Sequence, residues 1–147
     1  MMNPGTVTNI DSLDDDMFKR FFWAFGHCIR SVTSSFRPMI AVNGSHLRGK
    51  YPGVLMVSVT FDANHKLFPI AFAFAEAERR DSWEWFLANL SISLGELMNL
   101  TVVFDLQKGL VPALANVISS ASHCYCCCYL AKNIKSTYKD PVVVMKF

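Results

Sequence analysis

The sequence predicts an α/β domain in which helices cover the faces of a mixed β-sheet. Two apolar segments, Val54 to Phe61 and Lys66 to Phe74, are joined by the polar turn Asp62 to His65, which is typical of an antiparallel hairpin. After this hairpin, strand-like and helix-like apolar patterns alternate along the chain. A meander of strands followed by such alternation indicates a mixed sheet with helices on its faces.

Length and composition indicate one domain with a large core. The chain has 147 residues, 52% of them hydrophobic and 13% aromatic, so disorder is excluded for most of it. We expect a flexible tail over residues 1–13 and one domain over residues 14–147. The net charge of +2 neither requires nor excludes a nucleic-acid partner, because binding depends on a local patch.

The first element is predicted to be an aromatic helix from about Asp14 to Arg30. Ser12 offers an N-cap hydroxyl, and apolar residues between Met17 and Ile29 recur at helical spacing. The helix could pack on the domain. Alternatively, its Phe18 to Phe25 face could bind a protein partner or a second copy of the chain. Residues 31–37 are predicted to form a linker.

The remaining elements follow from apolar patterning. Asp81 or Ser82 is expected to cap a helix whose buried face carries Trp83, Phe86, Leu87 and Leu90. Pro112 fits the first turn of a later helix. The other predicted elements are a strand at Pro38 to Val42, a polar turn between Gly44 and Gly49, a helical stretch near Ser93 to Met98, a buried strand at Leu100 to Phe104, a helix at Leu110 to Ser119, a short strand at Ser122 to Tyr125 and a helix at Cys126 to Ile134. Val142 to Met145 is too short to assign.

Two predicted strands end on polar residues, Asn43 and Asp105. Such strand ends can present side chains at the rim of a sheet, where ligands and metals bind. Two carboxylates there would form half of a two-metal nuclease site, but only Asp105 is an acid. Asp105 could instead cap the next helix, and Asn43 could serve the turn before Gly44.

Basic residues near these strand ends are candidates for DNA contacts. They could form a cationic rim or be scattered solvated charges. The candidates are His46, Arg48, Lys50 and Lys108, with Arg79 and Arg80 nearby.

Cysteine usage and hydropathy indicate a reducing compartment. Four of the five cysteines lie between Cys124 and Cys128, which does not resemble a disulfide framework. No apolar run is long enough to span a membrane, and the first residues lack the pattern of a secretory signal.

A series of segments follows the order of motifs in one known family. The segments are Val42 to Tyr51, Gly53 to Leu55, Asp62 to Asn64, Phe68 to Ala73, Glu76, Glu78, Ser82 to Leu87, Asp105 to Leu110, and His123 with Cys126 and Asn133. Over roughly Phe18 to Asn133 the chain thereby resembles the core of Mutator-like element (MULE) transposases.

The resemblance implies an RNase H-like core of a DDE transposase. In that family three acids hold two divalent metals, Mg²⁺ or Mn²⁺, for cleavage and transfer of DNA strands. Two metals stabilise the charge that develops on the attacking and leaving oxygens. Transposon DNA is the implied partner, and the nucleus is the implied compartment.

Three departures from the family argue against cleavage. The family's first acid falls on Asn43, and Asp105 occupies the second position. The third acid lies beyond the cysteine-histidine segment, where neither Glu96 nor Asp140 matches, so we expect a C-terminally truncated core. Finally, the family's Cys-x-x-His is replaced by residues 126–129, which leaves His123 and Cys126 as zinc candidates or a buried cysteine-rich segment.

The sequence therefore predicts a transposase-derived domain without catalytic activity, in which Asp105 is a weak ligand for a divalent cation and no Mg²⁺ or Mn²⁺ is bound tightly. One alternative is a domesticated, non-catalytic module that associates with DNA or binds a protein. Another is an active enzyme whose missing acid comes from a second chain.

Overall fold

The fold consists of one seven-stranded sheet and four helices in the part of the chain that the structure describes. This computed structural model describes residues 3–13, 17–35, 37–95 and 97–137. The elements are β1 (Val7–Ser12), β2 (Phe18–Ala24), α1 (Gly26–Ser35), β3 (Met39–Leu47), β4 (Gly53–Phe61), β5 (Leu67–Ala75), α2 (Arg80–Leu94), β6 (Thr101–Phe104), α3 (Leu110–Val117), β7 (Ser122–Tyr125) and α4 (Cys127–Thr137).

The sheet is mixed, with the strand order β1-β2-β5-β4-β3-β6-β7. Strands β3, β4 and β5 form an antiparallel meander, whereas β6 runs parallel to β3 and β7 parallel to β6. In the turn of the predicted hairpin, Asp62 Oδ1 accepts hydrogen bonds from the backbone N–H groups of Asn64 and Lys66, each at 2.8 Å. These observations confirm the predicted α/β class, and the architecture is compatible with an RNase H-like fold.

Helix α2 covers one face of the sheet. Its Trp83, Phe86, Leu87 and Leu90 are fully buried, as predicted from their spacing. They belong to the same core cluster as Phe22 and other inward residues of the strands, and α3 packs beside α2. This layer fixes the position of the segment that leads from β5 into α2.

The predicted helix from Asp14 to Arg30 is wrong over residues 18–24, which form β2. Arg20, Phe22 and Ala24 are buried on the helix-covered face, and alternation turns Phe21 and Trp23 to the other face. There Trp23 stacks on Phe72 of β5 with ring centroids 5.3 Å apart. Because apolar residues lie on both faces of β2, their spacing in sequence resembles that of a helix. The Phe18 to Phe25 segment is therefore not a helix that a partner could bind. Asp14 lies outside the described residues.

Two neighbouring segments also differ from expectation. Residues 7–12 of the expected tail form β1, which pairs with β2, and Asn9 donates a 2.7 Å hydrogen bond to Asn89 of α2. Residues 31–35 of the expected linker belong to α1. The amino-terminal part of the described chain therefore extends the sheet beyond β5.

The remaining corrections concern element ends. Strand β3 continues to Leu47, so the predicted turn after Gly44 begins later. Helix α2 starts after Arg79 without a side-chain cap, so neither Asp81 nor Ser82 caps it. It ends at Leu94, and Gly95 follows with a φ of +68° rather than a further helical stretch. Residues 96, 140 and 142–145 lie outside the described chain.

Candidate functional site

The two polar strand ends that the sequence singled out lie side by side. Parallel pairing of β3 with β6 joins Ala41 to Val103 as its last pair. Continuing this register by two residues places Asn43 beside Asp105. Beyond that point β3 continues, whereas β6 has ended. The open space beside Asn43 and Asp105 at the carboxyl end of these two parallel strands is called the notch. In α/β folds, ligands commonly bind at this end of the strands.

Asp105 is a partly buried carboxylate with spare hydrogen-bonding capacity. Its Oδ1 is buried and lacks a hydrogen-bond partner among the described residues. Burial raises the pKa of Asp105, while hydrogen bonds from the backbone N–H groups of Gln107 and of Asp105 itself oppose the rise. Helix α3 begins after Gly109 without a side-chain cap. The alternative role of Asp105 as the cap of that helix is therefore excluded.

Asn43 lies within β3 rather than in a turn, since it pairs with Val57 of β4. Alternation along β3 directs its side chain to the face opposite Val42 and Gly44. Its Nδ2 donates a 3.0 Å hydrogen bond to the hydroxyl of Tyr129 on α4. The Asn43 side chain is thus hydrogen-bonded to α4, at the position where the resemblance in sequence implies an acid.

Glu78 is a buried carboxylate that lies against Gly44 of β3, on the sheet face opposite to that of the Asn43 side chain, and the sequence did not single it out as a site residue. It lies between β5 and α2, its side chain is only 5% exposed, and its Oε2 lies 3.7 Å from His46 Nδ1. Its Oε1 is buried without a hydrogen-bond partner among the described residues. Burial raises the pKa of Glu78; hydrogen bonding by Gln107 and the proximity of His46 oppose the rise, and the Asp105 charge adds to it.

Gly44 provides the space for the Glu78 carboxylate. A Cβ at position 44 would overlap Glu78 Oε1 and would come within 3.2 Å of Trp83 Cζ2. A glycine in the interior of a strand often marks such a close approach. The glycine could have been noted from the sequence, but nothing there identified Glu78 as the group that fills the space.

Arg20 of β2 anchors both ends of the segment that carries Glu78. Its guanidinium, 4% exposed, donates hydrogen bonds of 3.0 and 2.8 Å to the two carboxylate oxygens of Glu76. It also donates a 2.6 Å bond to the Asp81 carboxylate and a 3.0 Å bond to the Asp81 carbonyl. Burial alone would raise the pKa values of Glu76 and Asp81, but the Arg20 hydrogen bonds and charge outweigh it and lower both.

The predicted DNA-contact residues lie at the same end of the sheet. His46 is in β3, Arg48 and Lys50 follow it, and Lys108 follows Asp105; all four are exposed. Within the described chain no salt bridge joins Arg48, Lys50 or Lys108 to an acid. By contrast, Arg79 pairs with Glu76 and Asp81, and Arg80 pairs with Glu84. Arg48, Lys50 and Lys108 are thus available to bind an anion. Their contact with DNA stays a prediction.

The cysteine-rich segment does not assemble the predicted zinc ligands. His123 Nε2 lies 3.2 Å from the Ile118 carbonyl oxygen, to which it can donate. Interaction with the Cys127 and Cys126 thiols raises the pKa of Cys128. In the four described ranges of the chain, no group of three or more His, Cys, Asp or Glu side chains is placed so that it could hold a metal ion. The alternative of a buried segment is wrong, because Cys124, Cys127 and Cys128 are exposed.

Part of the chain matches a known protein family. A family model described as the MULE transposase domain matches residues 39–133, which run from the first residue of β3 into α4. No curated protein matches the chain. Among the described residues, no helix is long and apolar enough to cross a membrane.

Proposed function

The chain belongs to the MULE transposase domain family, and from this premise we propose that it is a transposition-related domain that no longer cleaves DNA. The observation that carries the proposal is Asn43. The resemblance in sequence puts the first acid of the family at this position, and the strand register puts Asn43 beside Asp105. One of the two expected carboxylates at the parallel strand ends is therefore a neutral amide.

The loss of that charge matters for the chemistry of the family. Attack on a phosphodiester places negative charge on the attacking and the leaving oxygen, and two cations held about 4 Å apart stabilise both. Holding two divalent cations so close requires negative ligands between them. Asn43 supplies an amide oxygen without charge, and its amide nitrogen is bonded to Tyr129.

The residues present do not assemble a site for a pair of divalent cations. Among the described residues, no group of three or more His, Cys, Asp or Glu side chains could hold a metal. Asp105 keeps one buried oxygen without a hydrogen-bond partner in this part of the chain, and it is one carboxylate ligand of the kind that suits Mg²⁺ or Mn²⁺.

The activity that we propose to remain is association with DNA. The support is the set of exposed cations at the notch without acidic partners in the described chain, Arg48, Lys50 and Lys108. Lysine and arginine in such a position bind phosphate and release counterions. A DNA partner also implies action in the nucleus.

Two assays on the purified chain test the proposal. Nicking of supercoiled DNA in the presence of Mg²⁺ or Mn²⁺ measures cleavage, and the proposal predicts none beyond an Asp105→Asn control. Affinity for a DNA duplex measured over a range of salt concentrations tests association, which should weaken steeply as salt rises. Salt-insensitive or undetectable binding would contradict the second half of the proposal.

A further inference from the structure

The hairpin that joins β3 to β4 projects beyond the notch. Leu47 and Gly53 are the last pair of these two antiparallel strands, and residues 48–52 between them form the hairpin tip. Strand β3 continues four residues past Asn43, a distance of about 13 Å at the rise of a β-strand. All residues of the hairpin tip are exposed, so the tip can contact a partner that approaches this end of the sheet.

Tyr51 is an aromatic side chain of the hairpin tip that the fold leaves in solvent. It is 77% exposed, and Nζ of Lys50 lies 5.5 Å from the centroid of its ring. The ammonium group approaches one face of the ring, as in a cation–π contact, and the high exposure leaves the other face open. Pro52 follows and restricts Tyr51 to an extended backbone, which reduces the entropy lost when a partner immobilises the side chain.

The charge of the hairpin tip is entirely positive. Arg48 and Lys50 carry this charge, and residues 48–52 contain no acid. Within the described chain neither cation forms a salt bridge, whereas His46, just before the tip, lies 3.7 Å from the Glu78 carboxylate. An exposed ring between unpaired cations is the combination that binds single-stranded nucleic acids, because bases stack on the ring while phosphates contact the cations.

We propose that the hairpin tip binds single-stranded DNA, with one base stacked on the open face of Tyr51 and the neighbouring phosphates bound by Arg48 and Lys50. A single strand is favoured over a duplex because bases inside a duplex are covered by their neighbours, whereas an unpaired base offers a face to the ring. The inference deepens the proposed function and rests on the DNA association proposed there. Neither the family match nor the sequence analysis assigns a role to Tyr51.

Anisotropy titrations of the purified chain with a labelled oligothymidylate, and with a labelled duplex of equal length, test the inference at one low salt concentration. We expect the single strand to bind about tenfold more tightly than the duplex. Tyr51→Leu keeps an apolar side chain but removes the aromatic face, so it should weaken single-strand binding about tenfold and leave duplex binding within about twofold.

Two control variants separate stacking from general effects of substitution. Tyr51→Phe keeps the aromatic face and should bind the single strand as the natural chain does. Leu67→Ala removes an exposed apolar side chain at the other end of β4 from the hairpin tip, and it should also leave binding unchanged. Equal losses in Tyr51→Phe and Tyr51→Leu would show that the hydroxyl group, rather than the ring face, makes the contact, and would overturn the inference.

The remaining outcomes separate this inference from the proposed function. A duplex bound as tightly as the single strand, or unchanged single-strand affinity in Tyr51→Leu, would overturn the inference alone if duplex binding is salt-sensitive. If neither form of DNA binds, the proposed association with DNA fails as well. Tighter binding of an oligouridylate RNA than of the DNA strand would overturn the assignment to DNA. Photo-cross-linking to an iodouracil-substituted strand adds a direct measurement: the attached peptide should contain Tyr51, and attachment only elsewhere would contradict the contact.

Discussion

Gly44 of β3 and Glu78 of the segment before α2 occupy complementary space, because the Glu78 carboxylate lies where a side chain at position 44 would be. This relationship links the strand that carries Asn43 to the loop that carries Glu78. It explains how the Glu78 carboxylate can be almost fully buried against β3 and Trp83. The bonds that Arg20 makes to Glu76 and Asp81 hold the same loop at both ends.

Replacing Gly44 by alanine should displace the Glu78 carboxylate from its buried position beside β3. The new Cβ would overlap Oε1 and crowd Trp83, so we expect the free energy of unfolding to fall by about 1–3 kcal/mol. Urea denaturation measures this loss. In a Glu78→Ala background the overlap with Oε1 is gone, and the same substitution should cost clearly less. Equal costs in the two backgrounds would show that the two residues do not compete for space.

Replacing Arg20 by methionine should destabilise the domain far more than a surface arginine does. The substitution leaves Glu76 and Asp81 without their buried partner, and breaking such a pair costs about 3 kcal/mol where the acids stay partly exposed. Arg80→Met, which breaks only the exposed pair with Glu84, should cost about 0.5 kcal/mol or less. Chemical denaturation of both variants checks the difference, and similar losses would contradict the anchoring role.

Stability should vary with pH in two opposite steps. Glu78 and Asp105 have raised pKa values in the folded chain, so they destabilise it when ionised, and stability should increase as pH falls from neutral toward about 4. Glu76 and Asp81 have lowered pKa values, so their contribution is present above about pH 4 and is lost as pH falls further.

Variants separate these two steps. Glu78→Gln should flatten the increase between neutral pH and about 4, and Arg20→Met should reduce the loss below about pH 4. Melting temperatures recorded from pH 3 to 8, a range set by the ordinary carboxyl pKa values of about 4, provide the measurement. An unchanged profile in Glu78→Gln would show that its carboxyl group is not desolvated in the folded chain.

Most of the fold could be predicted from local pattern. The hairpin, the Trp83 face of α2 and the later alternation of strand and helix all depend on residues close in sequence. Residues 18–24 could not, because Phe21 and Trp23 face one side of β2 while Phe22 faces the other, which leaves no visible alternation. An arginine at position 20 suggests a solvent-exposed position. Its burial depends on Glu76 and Asp81, which lie 56 and 61 residues away in sequence and so leave no local pattern.

The site was only half predictable for a related reason. Asn43 and Asp105 each come directly after a short apolar run in the sequence, which is a local pattern, and the parallel register places the two residues side by side. Glu78 stands in a polar segment that looks like an ordinary solvated loop. Its burial arises from the space beside Gly44 of β3, which is 34 residues away in sequence, so only the folded chain reveals it.

Neutralising the unpaired cations of the notch should reduce the salt dependence of DNA binding. Each phosphate contact contributes about 0.9 to the slope of log affinity against log salt, so Lys50→Gln and Lys108→Gln should each lower the slope by roughly that amount. Arg80→Gln serves as the control, because Arg80 is already paired with Glu84. Equal slopes for all variants would place any DNA contact elsewhere on the chain.

The most direct test of the central claim is nicking of supercoiled DNA by the purified chain in Mn²⁺, with Asp105→Asn as the background. We predict equal rates for the two proteins, because Asn43 leaves the strand ends without the carboxylate that a pair of cations requires. Nicking that depends on Mn²⁺ and disappears in Asp105→Asn would contradict the account and show that the domain cleaves DNA.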